Sequence, residues 1–338
     1  MFTEFIKKVT YGNSLTENEA EQAMQLIMEG RATPAQIGAF LTALVCKGEN
    51  EEEIAGFART MRHFAIAVKG PKGLVDTCGT GGDGKFTYNI STAAAFIVAG
   101  LGIPVAKHGN RSVSSRAGSA DVLEALGVNI DLSPEGVEAC LNEVGLGFIF
   151  APRFHQAMRH AAGPRKEIGI RTVFNLLGPL TNPACPDYQL VGVYAPHLTE
   201  PVASVLSRLG CKEAFVVHGM DGLDEVTLAA PTKVTRVKGG VQETFIFHPR
   251  DAGMSLVPLG ELVGQGAQEN ARIIREVLAG RRGPKRDAAL VNAAFALWAA
   301  GVVSDVKEGI TMARESVDSG KAAGKLEELI RFTRSWAA

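Results

Sequence analysis

No Cys-x-x-Cys pair occurs in the chain, and its five cysteines (Cys46, Cys78, Cys140, Cys185 and Cys211) are odd in number and widely spaced. Neither a disulfide framework nor a cysteine zinc site is suggested, and reduced thiols are expected. An excess of either charge is also missing, with 35 basic against 36 acidic side chains. Partners such as nucleic acid or a membrane surface select for a basic field. Neither is expected here, and any anion site must be local. The N-terminus, MFTEFIKKVTYG, is amphipathic and charged and lacks the apolar run of a signal peptide. The most apolar stretch, AAAFIVAGLGIPVA, is too short and too rich in glycine to span a bilayer. A cytoplasmic location is expected. No internal repeat or low-complexity segment is visible.

What is present begins with a core. The chain has 338 residues, 46% of them apolar, enough for one large domain or two ordinary ones. Residues 1–70 read as helical. Thr16 with Glu19 forms a capping box, and Ala20, Ala23, Met24, Ile27 and Met28 then fall on one face. Thr33 with Pro34, and Asn50 with Glu53, open two further helices, while Gly30 and Gly48 are placed to end helices. At VKGPKG (68–73) the composition changes to that of a hinge.

Short apolar runs then alternate with helical stretches, which predicts a mainly parallel sheet with helices on both faces. From EVTLAAPTKVTRVKGGVQETFIFHP the period becomes two around a Gly-Gly turn, so antiparallel strands follow. Two or three helices close the chain. Residues 154–183 interrupt the alternation with helical stretches broken by Pro and Gly. The expected fold class is α/β: a small helical domain (1–70, joined in space by about 154–183) hinged to a larger α/β domain (71–338). A cleft should lie between them.

The segment GTGGDGK (79–85) admits three readings. A dinucleotide fingerprint needs the helix to follow at once and an acidic residue about 20 positions on. Here GKFTYN delays the helix, and the next strand ends in Lys107-His108, which leaves only an NADP version open. An ATP P-loop needs Ser or Thr after the lysine. Phe86 stands there, and Asp83 inside the loop would repel a triphosphate, so that reading is rejected. The third is another polyphosphate site. Asn89, Ser91 and Thr92 lie at a helix start, where free backbone N–H groups favour anions. KHGNRSVSSRAGS (107–119) adds Lys107, Arg111, Arg116 and three serines between the two arginines. Both stretches follow a predicted strand and face the ligand edge of the sheet. Two such loops imply two separated phosphate groups. Asp224 and Glu225, in a loop after AFVVHG, are the candidate magnesium ligands that would bridge to phosphate oxygens. Cys78, beside the loop, reads as a small buried residue at a strand end.

GTGGDG, NISTAAA, KHGNRSVSS, FAPRFHQAMRH, GPRKEIGIRTVFNLLGPLTNP and VHGMDGLDE, in this order, resemble the anthranilate phosphoribosyltransferases across most of the chain. The pyrimidine nucleoside phosphorylases share the Lys-His-Gly segment, but their glycine loop differs and they lack RTVFNLLGPLTNP with a following acidic pair. A non-catalytic, nucleic-acid-binding relative is a third possibility, which the charge balance and the intact acidic pair count against.

The resemblance implies 5-phosphoribosyl 1-pyrophosphate (PRPP) as donor, anthranilate as acceptor, one or two magnesium ions, and a homodimer through the helical domain. It further implies that Gly79, Gly82 and Asp83 cradle pyrophosphate through their backbone, where glycine lets the chain approach closely. Ser91, Asp224 and Glu225 would hold the metal. Asn89, Thr92, Lys107 and Ser119, with Thr87 and Ile90 beside them, would serve the phosphates and ribose. The loop His108, Gly109, Asn110, Arg111, Ser112, Val113, Ser114 and Ser115 would close over the donor. Arg165 is expected to fork onto the anthranilate carboxylate. Gly79 and Asn110 would complete that site, with His108 and His155 as candidates to line it. No general base is assigned.

Overall fold

The computed structural model describes residues 1–112 and 116–336. Four helices open the chain: α1 (Phe2–Thr10), α2 (Glu17–Met28), α3 (Pro34–Lys47) and α4 (Glu51–Phe64). The capping signals act as read. Thr16, Thr33 and Asn50 each accept the backbone N–H three residues on, and Glu19, Gln36 and Glu53 return the bond. Each such cap is worth about 1 kcal/mol.

Next come β1 (Val75–Gly79), α5 (Ile90–Gly100), β2 (Val105–Gly109), α6 (Ser119–Leu126), α7 (Pro134–Glu143) and β3 (Leu146–Phe150). The segment that interrupts the alternation holds α8 (Ala151–Phe154), α9 (Arg159–Ile168) and α10 (Phe174–Leu180). Pro164 and Pro179 sit inside helices rather than between them. The alternation resumes with β4 (Tyr188–Gly192), α11 (Thr199–Arg208) and β5 (Glu213–Gly219). The antiparallel pair β6 (Thr232–Lys238) and β7 (Val241–Phe247) turns at Gly239-Gly240, both with positive φ. Four helices close the chain, more than the two or three expected: α12 (Ala267–Leu278), α13 (Pro284–Ala299), α14 (Val306–Asp318) and α15 (Lys321–Trp336).

The seven strands form one sheet in the order β3-β2-β1-β4-β5-β6-β7. The first five are parallel, and the last two pairings are antiparallel. The connection reverses direction at β1, with β2 on one side and β4 on the other. In open α/β sheets the crevice beyond the strand ends at such a point is the ligand site.

Period-two side-chain alternation divides the core between the two sheet faces. Leu190, Phe215 and Val217 face α5 and the C-terminal helices. Val191, Val193, Ala214 and Val216 face the other way. They share one apolar cluster with α11, α10 and the helices of the N-terminal bundle, including Phe40, Phe57 and Leu177. The result is a small N-terminal helical domain beside a larger α/β domain with a mainly parallel sheet. No helix among the described residues is long and apolar enough to cross a membrane.

Candidate active site

A cleft of about 340 Å³ opens at the C-terminal ends of β1 and β2, beside the acidic loop that follows β5, and is closed on the far side by α9 and α10. Gly79, Asn89, Ser91, Lys107, His108, Gly109, Asn110, Arg111, Ser112, Ser119, Arg165, Asp224 and Glu225 line it. Gly82, Asp83, Thr87, Ile90, Thr92 and His155 do not. Ile90 and Thr92 point into the core, and Thr87 makes a backbone bridge to Val263. Val113, Ser114 and Ser115 lie outside the described residues.

The glycine loop owes its path to its composition. Gly81 and Gly82 adopt φ of 66° and 75°, a region costly for other residues. The acidic loop after β5 reaches across to this turn, and the Gly81 N–H donates to Asp224 Oδ2 at 2.6 Å. The Ser91 N–H, in the first turn of α5, donates to Glu225 Oε1 at 3.2 Å. Asp83 supplies a third carboxylate, accepting the Asp224 N–H at 3.4 Å. Burial and the Asp83 charge push the Asp224 carboxyl up to about 7. Burial and Asp224 together push Glu225 upward as well. Neither acid has a salt-bridge partner among the described residues, and no cluster of three or more His, Cys, Asp or Glu there forms a ready metal cage. An all-oxygen pair of this kind suits magnesium, which completes its shell from phosphate and water.

Lys107 belongs to β2 rather than to a loop, and it is buried. Its ammonium donates to the Thr77 carbonyl at 2.6 Å and to Ser91 Oγ at 3.3 Å. Burial pulls its pKa down, against the fields of Asp76, Cys78 and Glu225. Asn89 is largely engaged by protein. Its amide donates to the Ala117 carbonyl at 3.2 Å and its oxygen accepts from Asn270 at 2.9 Å, tying the helix start to the neighbouring loop. The Arg111 guanidinium turns outward onto Asp121 and Glu124, and Asp121 also takes the Ser112 and Gly118 N–H groups at 3.0 and 2.9 Å.

On the opposite wall Arg165 lies over the Phe174 ring, 4.9 Å from its centre. Burial lowers its pKa, and no carboxylate pairs with it among the described residues. His108 and His155 lie against each other, with ring centres 5.1 Å apart and planes tilted by 55°. His108 Nδ1 donates to the Gly178 carbonyl at 3.2 Å. Burial and His155 hold His108 down to about 3, and burial holds His155 to about 4. Both rings are therefore neutral. Sequence reasoning did not single out Phe174, Asn175, Gly178 and Pro179, which line the acceptor wall. They lie inside RTVFNLLGPLTNP, but no titratable group marks them.

Two family models match the chain: the helical bundle domain of the glycosyl transferase family over residues 3–65, and its a/b domain over 71–323. The chain belongs to this two-domain glycosyl transferase family. An anthranilate phosphoribosyltransferase of Moorella thermoacetica is 59% identical, with 98% of each chain covered. That of Acetivibrio thermocellus is 54% identical over 99% of this chain and 98% of its own. Within the family the chain falls among the anthranilate phosphoribosyltransferases. The crystal structure of the Thermus thermophilus enzyme superposes with a TM-score of 0.93 at 45% identity, covering 98% of this chain and 99% of that one. The Saccharomyces cerevisiae enzyme in complex with PRPP and Mg superposes at 0.90 and 31% identity, covering 99% and 98%.

Proposed function

We propose that the cleft transfers the 5-phosphoribosyl group of PRPP to the amine of anthranilate, giving N-(5-phosphoribosyl)anthranilate and pyrophosphate, a step of tryptophan biosynthesis. One observation carries this assignment. The same cleft holds two recessed carboxylates that form no salt bridge among the described residues, Asp224 and Glu225, and on its other wall a guanidinium that forms none there either, Arg165. The first pair suits a metal-bound polyphosphate, and the second suits a carboxylate-bearing acceptor.

The bond between ribose C1 and the pyrophosphate oxygen breaks, its electron pair leaves with pyrophosphate, and the amine lone pair closes on C1. Negative charge grows on the leaving group, so the chain's main task is electrostatic. Backbone N–H groups of Gly79, which lines the cleft, and of Gly82 and Asp83, in the adjoining turn just outside its lining, would receive the departing oxygens, and Ser91, Lys107 and Ser119 would fix the phosphates and ribose. Magnesium, one ion or two, would be held by Asp224, Glu225 and Ser91, where its positive charge neutralises pyrophosphate. Arg165 with Asn110 holds the acceptor carboxylate and presents the amine to C1. The two neutral histidines shape the acceptor wall. The new arylammonium is acidic enough to release its proton to water, so no side chain is needed as base.

Relatives support the substrate classes. A Saccharomyces cerevisiae enzyme binds PRPP and Mg, and another of its structures holds 4-fluoroanthranilate. The test is to mix protein, PRPP, magnesium and anthranilate and follow loss of anthranilate fluorescence. Absence of turnover, with phosphorolysis of thymidine or uridine instead, would move the protein to the nucleoside phosphorylases.

Residues 1–70 with about 154–183 are proposed as the helical domain, and the remainder of 71–338 as the α/β domain. The shared apolar cluster of α1–α4 with Ala161, Phe174 and Leu177 supports the join. A homodimer through the helical domain is proposed on a groove lined by Val9, Gly38, Ala39 and Ala43. Light scattering at twice 35.8 kDa would support it. A cytoplasmic setting fits five free cysteines.

A further inference from the structure

Arg171 stands in the short link between α9, which carries Arg165, and α10, which carries Phe174. Its side chain leaves that link and meets two other segments. The guanidinium carbon lies 3.9 Å from the centre of the Tyr194 ring. Its Nη2 donates to the Gly82 carbonyl at 2.6 Å. Tyr194 follows the end of β4, and its own N–H donates to Thr80 Oγ1 at 3.1 Å. One side chain therefore connects the acceptor-side helices, the strand end and the glycine loop.

The peptide between Gly82 and Asp83 is planar and trans, as no cis bond occurs among the described residues. Its carbonyl and N–H consequently point in opposite directions. With the carbonyl drawn to Arg171, the Asp83 N–H is aimed the other way. Gly82 lacks a side chain to resist rotation, so nothing within the residue itself fixes that orientation. The stack on Tyr194 fixes the guanidinium plane and hence the direction of the bond.

We propose that Arg171 is a positioning residue for phosphoribosyl transfer. By anchoring the Gly82 carbonyl it presents the Asp83 amide to the pyrophosphate group of the donor. The inference rests on the assignment of that amide to pyrophosphate made above. Arg171 acts on the donor without touching it, and Tyr194 acts through Arg171.

The test compares Arg171→Ala, Arg171→Lys, Tyr194→Leu and the double variant in steady-state kinetics, varying PRPP at saturating anthranilate and the reverse. Arg171→Ala is expected to raise KM for PRPP about tenfold, the worth of one charge-assisted hydrogen bond, and to lower kcat. Arg171 is exposed, so the melting temperature should stay within about 2 °C of wild type. Arg171→Lys should recover part of the loss, because it keeps a donor but not the planar fork. Tyr194→Leu should shift the same constant in the same direction. The double variant should be no worse than Arg171→Ala, because the two residues act in series. Wild-type KM for PRPP and kcat in Arg171→Ala would overturn the inference, as would full recovery by lysine or additive effects in the double variant. Failure of the underlying assignment looks different: the wild-type protein itself would not consume anthranilate.

Discussion

Gly79 and Gly192 face each other in register across β1 and β4, and Asp224 rests on both. A Cβ at Gly79 would stand 2.6 Å from Asp224 Oδ2, and a Cβ at Gly192 would overlap the Asp224 backbone carbonyl. The acidic loop approaches the strand ends because neither residue has a side chain.

Gly192→Ala should therefore displace the acidic loop at its backbone. Overpacking of this kind costs about 1–3 kcal/mol. Thermal unfolding should report that loss, and the magnesium concentration for half-maximal activity should rise. A variant with unchanged stability and unchanged magnesium dependence would show that the loop does not need this close approach.

Asp224→Asn combined with Glu225→Gln should trade activity for stability. Two neighbouring carboxylates and Asp83 repel one another in a recessed site. Removing their charge should raise the melting temperature of metal-free protein by roughly 2–4 °C for each kcal/mol relieved. Turnover should fall by about 100-fold or more. Added magnesium should stabilise the wild type and leave the double variant unmoved.

His108→Asn tests the neutral histidines. His108 is held to about 3 against an ordinary 6.5. The unfolded chain thus takes up a proton that the folded one refuses. The stability tied to a neutral ring is complete above about pH 6.5 and is lost as the pH falls towards 3. Asparagine keeps a donor near the Gly178 carbonyl and does not titrate. Its acid limb, measured by urea unfolding between pH 4 and 6.5, should be shallower by up to about 1.4 kcal/mol per pH unit. An unchanged slope would mean that the folded ring is protonated.

Arg165→Ala should raise KM for anthranilate by about 10- to 100-fold, in line with loss of a charged hydrogen-bonded pair. Its effect on KM for PRPP should be several times smaller. A selective effect on the donor would assign Arg165 to the phosphates instead.

Three of the N-terminal helices, α2, α3 and α4, were readable because each carries its own start signal in Thr16, Thr33 or Asn50, and Gly30 and Gly48 mark where the first two of them stop. The sheet was readable for the same reason, since strand–helix alternation is a short-range pattern. Pro164 and Pro179 misled, because proline breaks a helix by default and only tertiary packing keeps a helix running through it. Among site residues, Lys107, Asp224 and Glu225 announced themselves by charge next to a strand end, and Ser91 by its place at a helix start. Arg111 did so too, but its charge is taken by Asp121 and Glu124, carboxylates 10 and 13 positions on. Gly178 and Asn175 carry no such mark, and Arg171, though charged, was not singled out, because their positions matter only once α9 and α10 lie against the strand ends.

The apolar cluster that joins the first four helices to Val191, Val193, Ala214 and Val216 has an evolutionary corollary. A recombinant that exchanged only the N-terminal segment would set foreign side chains against an unaltered surface of the sheet. Successful chimaeras must inherit both sides of that seam together, although more than a hundred residues separate them along the chain.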